Sequence, residues 1–354
     1  MYRIRLDYKY LVRLYFGAAL LFIAGHSPGH AYCVGQDLPT DVVSSYDSVV
    51  DSEIRTRPDL YVNGDSKLYE IRKANRFVGT VYGTMHSRIA QSTLLSPEVI
   101  QRFDAAQSVI LETDFIGIDA ERLGKIVKSS QHDATPLGVE FVQTLDSMTE
   151  GSLRRFSGET RMSLNQIADL SVERLAAILT TPQCAQDWQR IQRSALAMDI
   201  QFSVWARLAR KPVLALEPAY QIPSLPLYSA YYVQNMRELL TLYAKRSNYI
   251  NSIVEYKSES YFMGMISRSV AFDLSFEAND HDRLLSQIDF DVKISGRNDR
   301  FVEQIAKELD YGRTQFVAIG AAHLIGRRGI IQQLKDRGYE VGSVLETRPN
   351  RESR

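Results

Sequence analysis

Apolar and polar positions divide the chain into short strand-like runs separated by long helical stretches. "SKLYEIRKANRFVGTVYGT", Ser66–Thr84, reads as two strands joined by a turn at "KANR". Ser96 offers an N-cap to the next segment, Pro97 stands at its first helical position and Glu98 falls in its first turn, so a short helix is expected. "SVILETD" follows as a buried strand, Ser108 to Glu112, and this strand–helix–strand order favours a parallel pair. From about 115 to 210 the apolar residues recur at helical spacing, as in "SLNQIADLSVERLAAILT" and "AMDIQFSVWARLAR". "KPVLALEP" carries another short buried strand, Pro212 to Glu217, before the proline-rich "PAYQIPSLPLYS". Helical patterns return between about 229 and 310. "TQFVAIGAAH" is then a strand, "GRRGIIQQLKDRG" a helix closed by Gly338, and "YEVGSVLET" the final strand. Positions 34 to 66 are polar and turn-rich and are expected to be an irregular lead-in.

Two of these strands end alike. Gly83 precedes His86 by three residues, and Gly320 precedes His323 by three. Each Gly-x-x-His unit is followed by a helix and a strand, ending "ILETD" in the first case and "VLETR" in the second. The expected fold is therefore α/β: a central mixed sheet from two related strand–Gly-x-x-His–helix–strand halves, with a helical cap inserted between them. Residues 67–346 form the single domain, with helical insertions at 115–210 and 229–310, and 347–354 form a charged tail.

Composition narrows the functional classes. The 354 residues carry 42 Lys+Arg and 42 Asp+Glu, so neither a basic excess nor an acidic tail argues for nucleic acid as a partner. The N-terminus departs from this balance. Arg3, Arg5, Lys9 and Arg13 precede twelve uncharged residues, "LYFGAALLFIAG", and Gly29 and Ala31 then stand in a −3/−1 arrangement. This is the layout of a secretory signal peptide over residues 1–31, which leaves 32–66 as the lead-in and implies a periplasmic or secreted protein. The apolar run is short for a membrane span, so an uncleaved signal segment is the one expected membrane contact. Cys33 and Cys184 are either a disulfide or two independent thiols.

In a parallel sheet, ligands bind beyond the carboxyl ends of the strands, where His86, Glu112, Glu217 and His323 all fall. A glycine three residues earlier is expected to let the backbone turn sharply there. Two imidazoles and two carboxylates on one crevice make a divalent-metal site, able to lower the pKa of a bound water and polarise a carbonyl. A histidine acting as general base without metal is the alternative. Strand-end histidines and glutamates also serve as turn hydrogen-bonders and salt-bridge partners. Neither a P-loop nor a dinucleotide glycine fingerprint nor a nucleophile elbow is present.

"YGTMHS", "ILETD", "RKPVLALEP", "GRNDRFVEQI" and "FVAIGAAHLIGRRGIIQQLKDRGYEV" together resemble the TraB/GumN family, which includes the Tiki metalloproteases and is similar in fold to erythromycin-esterase-like and ChaN-like proteins. The resemblance covers roughly residues 60 to 345. It implies that His86 and His323 are the paired family histidines, that Glu112 is the acidic residue after the first, and that Glu217 belongs to the middle "LE" strand. Asp199 looks like the family's Asp before a helix, and Arg297 and Asn298 like its "RN" pair. The implied activity is metal-dependent hydrolysis of a peptide or protein substrate. His86, Glu112 and His323 would hold a Mn, Co or Zn ion, Glu217 would be a further ligand or general base, and Arg297 would orient substrate; no other cofactor is expected. A non-enzymatic protein binding a peptide, metal or haem-like ligand in the same crevice is the competing expectation. The chain departs from the family pattern at Ser87 and Arg88, where a glycine follows the first histidine in the family and Arg88 adds positive charge.

Overall fold

The computed structural model describes residues 40–85, 95–114, 162–170, 198–217, 256–275 and 294–346, with 151, 154 and 157. The proposed signal peptide, His86, both cysteines, much of the two helical insertions and the tail lie outside the described residues.

Six strands form one mixed sheet in the order β4-β3-β5-β2-β1-β6. They are β1 (Leu68–Lys73), β2 (Arg76–Thr84), β3 (Ser108–Thr113), β4 (Val213–Glu217), β5 (Gln315–Gly320) and β6 (Glu340–Ser343). β1 and β2 form the expected hairpin, and its turn residues Ala74 and Asn75 have φ of 50° and 61°. Positive φ at both positions gives the twist that strands need to pair across a two-residue loop, and Asn tolerates it. β3 and β5 are buried along their whole length, as continuous apolar runs in the middle of a parallel sheet must be.

The topology sets where a ligand can bind. β2, β5, β3 and β4 run parallel, and β1 runs against both β2 and β6. From β2 the chain crosses β5 to reach β3, through α2 (Pro97–Ala105). From β5 it crosses β2 and β1 to reach β6, through α7 (Ile330–Asp336). The two connections leave the β2/β5 seam in opposite directions, which opens a crevice at the carboxyl ends of those strands. Both Gly-x-x-His units start at this seam, with Gly83 paired to Ile319 and Thr84 to Gly320.

Helices cover both faces. On one, α2 and α4 (Met198–Leu208) bring Phe103 and Phe202 against Tyr82 and Phe316, with Trp205 packed on both phenylalanines and ring centroids as close as 5.0 Å between Phe202 and Phe316. Each such ring contributes about 1.5–3 kcal/mol by leaving water. Ser96 caps α2 by accepting from the Val99 N–H, as its sequence predicts. On the other face α6 (Gly296–Asp310) buries the stripe Phe301, Val302, Ile305 and Leu309 and packs beside α7. A short helix, α3, spans Leu164–Ala168.

One expectation is corrected. Within the stretch expected to be irregular, Thr40–Thr56 is a helix, α1, packed against α5 (Ile266–Ser275). Tyr46 and Val50 are buried at i and i+4, and Arg268 of α5 bonds Asp47 at 2.5 Å and Asp51 at 2.7 Å on the same helix. The apolar stripe is narrow and the rest of the segment polar, so the helix depends on a partner more than 200 positions away.

Candidate functional site

Four strands deliver side chains or backbone to the crevice. At the end of β3, Glu112 is 9% exposed, and at the end of β4, Glu217 is 5% exposed. Two carboxylates this deep need partners. Arg297, in the first turn of α6, supplies them. Its Nε and Nη2 hold Glu217 side-on at 2.8 and 2.7 Å, and Nη2 also donates to Glu112 Oε1 at 2.6 Å. Arg300, half exposed one turn on, donates to Glu217 Oε1 at 2.6 Å. The second oxygen of Glu112 accepts from the Gly320 N–H at 2.9 Å. The two carboxylates are thus balanced by two guanidinium groups.

After β5 the chain makes a 3₁₀ turn, Ala321–His323, that buries His323 to 2% exposure. Asn298, beside Arg297 on α6, fixes the imidazole. Its Nδ2 donates to the carbonyl oxygens of Arg328 at 2.9 Å and His323 at 3.3 Å, so its Oδ1 faces His323 Nδ1 at 2.6 Å. Nδ1 therefore carries the hydrogen of the neutral ring, and Nε2 presents a lone pair. That lone pair faces Glu112 Oε1 at 3.6 Å. Oε1 already accepts from Arg297, and its spacing from Nε2 leaves room for a proton on the ring or a cation shared by the two atoms.

Behind the seam, the Tyr261 hydroxyl donates to the Gly83 carbonyl at 2.6 Å and lies 3.3 Å from the Tyr82 hydroxyl. Thr84 donates to Asp199 of α4, which ties the end of β2 to that helix. Glu346 pairs with buried Lys67 at 3.3 Å. Burial and neighbouring acidic groups push the Tyr82 and Tyr261 phenols well above their ordinary range. The folded protein then holds protons that the unfolded chain releases above pH 10, so stability is full below that pH and falls as pH rises through it. Lys67, whose pKa burial lowers, works in the opposite sense at somewhat lower pH. Denaturant titrations from pH 8 to 11 should show a shallower alkaline loss for Tyr261→Phe than for the parent.

The glycines do a different job from the one expected. Neither Gly83 nor Gly320 has positive φ. A Cβ on Gly83 would lie 2.8 Å from Leu324 Cδ1 and 3.0 Å from the Cα and Cβ of Ala321. Gly83 is therefore what lets the end of β2 pack against the turn that carries His323.

The TraB/PrgY/gumN family model matches residues 68–343, the whole span from β1 to β6. The chain belongs to the TraB/PrgY/gumN family. No curated protein and no solved structure matches it. Of the residues named for this TraB-family chain on its sequence, Glu112, Glu217, Arg297 and His323 meet in one cluster, while His86 lies outside the described residues. Sequence reasoning assigned no role to the Asn298 side chain, Arg300, Tyr261 or the Gly320 N–H. Asn298 alone had a signal, since it adjoins Arg297 in the "RN" pair.

The Glu112–His323 pair has the donor types and spacing of two ligands to one divalent ion. Two donors each about 2.0–2.2 Å from a shared ion, at angles near tetrahedral, stand roughly 3.3–3.6 Å apart. The Glu112–His323 separation of 3.6 Å matches this, and an imidazole Nδ1–H held by a carbonyl-type oxygen is how metal-ligating histidines are usually fixed. Among the described residues no three His, Cys, Asp or Glu side chains converge to hold an ion.

Proposed function

We propose that this TraB-family protein is an exported, metal-dependent hydrolase acting on peptide bonds. The observation that carries the reading is the pair of facing acceptors, Glu112 Oε1 and His323 Nε2, at the end of the β2/β5 seam. His86, two residues after Thr84 in the sequence, is the proposed third ligand. A bound Mn, Co or Zn ion would supply a water of lowered pKa and polarise the scissile carbonyl.

The surrounding residues hold that pair in place. Asn298 keeps the His323 ring in one tautomer and orientation, and the Gly320 N–H fixes the rotation of the Glu112 carboxylate. Glu217 serves as the rigid acceptor for the Arg297 fork. Half-exposed Arg300 stands at the mouth of the cluster, placed to meet a negatively charged group of a substrate. Export rests on the basic flank and uncharged run within residues 1–31.

The test is metal stoichiometry by mass spectrometry on purified protein, with a peptide-library hydrolysis assay run with and without chelator. About one ion per chain is expected. His323→Ala and Glu112→Gln should lose both ion and turnover while circular dichroism stays parental. A parent that takes up no ion overturns the reading. A non-enzymatic binding protein is the second reading, favoured by a cluster already charge-balanced by Arg297 and Arg300. A parent that takes up the ion and binds peptides without cleaving them would select it.

A further inference from the structure

We infer that residues 58–66, which lie outside the family-matched span, are a brace that sets the position of the turn carrying His323, and that docking of α1 keeps this brace in place. This holds whatever the His323 cluster binds. The loop 321–329 is pinned on two sides. On one, Asn298 of α6 donates to the carbonyl oxygens of His323 and Arg328. On the other, the brace supplies the acceptors: the Gly326 N–H donates to the Val62 carbonyl at 2.8 Å and the Arg327 N–H to the Asp59 carbonyl at 2.9 Å. Gly326 has φ of 85°, and a Cβ there would lie 3.0 Å from the Leu60 carbonyl oxygen. Glycine serves both the left-handed backbone and the close approach of the brace.

The brace is itself held at both ends. The Ser267 N–H, in the first turn of α5, donates to the Gly64 carbonyl at 3.0 Å, and α5 also packs beside the Ala321–His323 turn. At the other end the buried Tyr61 hydroxyl donates to Glu53 of α1 at 2.7 Å. α1 rests on α5 through Tyr46, whose ring stands 5.1 Å from that of Phe272. This helix is the weakest part of the arrangement. Its Asp47 and Asp51 side chains, the partners of Arg268, are 43% and 45% exposed, so these ion pairs contribute little. Segments with few buried apolar contacts open before a buried sheet does. α1 and the brace can therefore release while the sheet stays folded. The loop 321–329 then loses one of its two sets of pins, and His323 its fixed position opposite Glu112. The geometry of the candidate site is in this way coupled to a helix outside the family-matched span.

The experiment uses the full chain and reads amide hydrogen exchange and the His323 imidazole signals by nuclear magnetic resonance. Gly64→Ala is the first variant. Its Cβ would lie 2.5 Å from Ser267 Cβ and 2.8 Å from the Ser267 nitrogen, and Gly64 has no positive φ, so contact alone pushes the brace off α5. The Gly326 and Arg327 amides should exchange at least about tenfold faster than in the parent, the Ile110 and Leu111 amides of β3, which report opening of the sheet, should change less, and the His323 signals should shift. Tyr46→Ala, which removes the aromatic anchor of α1, should act in the same direction and replaces Gly64→Ala if that variant does not fold. Exchange at Gly326 and Arg327 that rises only in step with Ile110 and Leu111 overturns the inference, as does faster exchange with unmoved His323 signals. Failure of both variants to fold also overturns it, because the brace would then be inseparable from the sheet. Neither readout needs an ion or turnover, so a parent that takes up no ion sinks the metal reading and leaves this result standing.

Discussion

Replacing Arg297 by methionine should lower the unfolding free energy by about 3 kcal/mol in metal-free buffer, the low end of the range for breaking a buried ion pair. The low end applies because the Arg297 side chain keeps 20% of its exposure and Glu217 retains Arg300. The loss comes from two buried carboxylates stripped of a shared counterion, so it should depend on their charge. Adding Glu112→Gln and Glu217→Gln to Arg297→Met removes the charges that need neutralising and should recover most of the loss. Urea denaturation in chelator measures all three proteins. A single variant within 1 kcal/mol of the parent, or a triple variant less stable than the single, would show that the buried cluster does not hold the ends of β3, β4 and β5 together.

Much of the sheet could be read from the chain because its signals are local. "KANR" sits between two strand-forming runs, and "SVILET" and "QFVAIG" are short, mostly apolar runs of the length that parallel central strands require. Helix α1 escaped because its evidence is tertiary: a polar segment with two buried apolar residues becomes a helix through Arg268 and α5. The candidate site was half visible. Strand-end Glu112, Glu217 and His323 announce themselves by position, whereas the Asn298 contact to His323 and the Gly320 N–H contact to Glu112 exist only once α6 and β5 are packed. Tyr261 had no signal, since its bond to Gly83 spans 178 positions between segments with no shared pattern.

The glycine of the first Gly-x-x-His unit shows where position was read correctly and cause was not. A need for positive φ would make any β-carbon at Gly83 costly through backbone strain, yet its φ lies outside that region. The cost comes instead from contact with Ala321 at 3.0 Å and Leu324 at 2.8 Å, backbone and side chain of the opposing turn. Gly83→Ala should therefore destabilise by about 1–3 kcal/mol, and Gly83→Val by about 3 kcal/mol or more, because two added methyl groups have to displace a segment tied to α6 by Asn298. Gly342→Ala is the control, with nothing within 4 Å of the added carbon and no positive φ, and should lie within 0.5 kcal/mol of the parent. Because the displaced turn carries His323, Gly83→Val should also shift that imidazole's nuclear magnetic resonance signals, and Gly342→Ala should not. Destabilisation with unmoved His323 signals would mean that the strand adjusts instead of the turn, and that Gly83 serves the sheet without positioning the site.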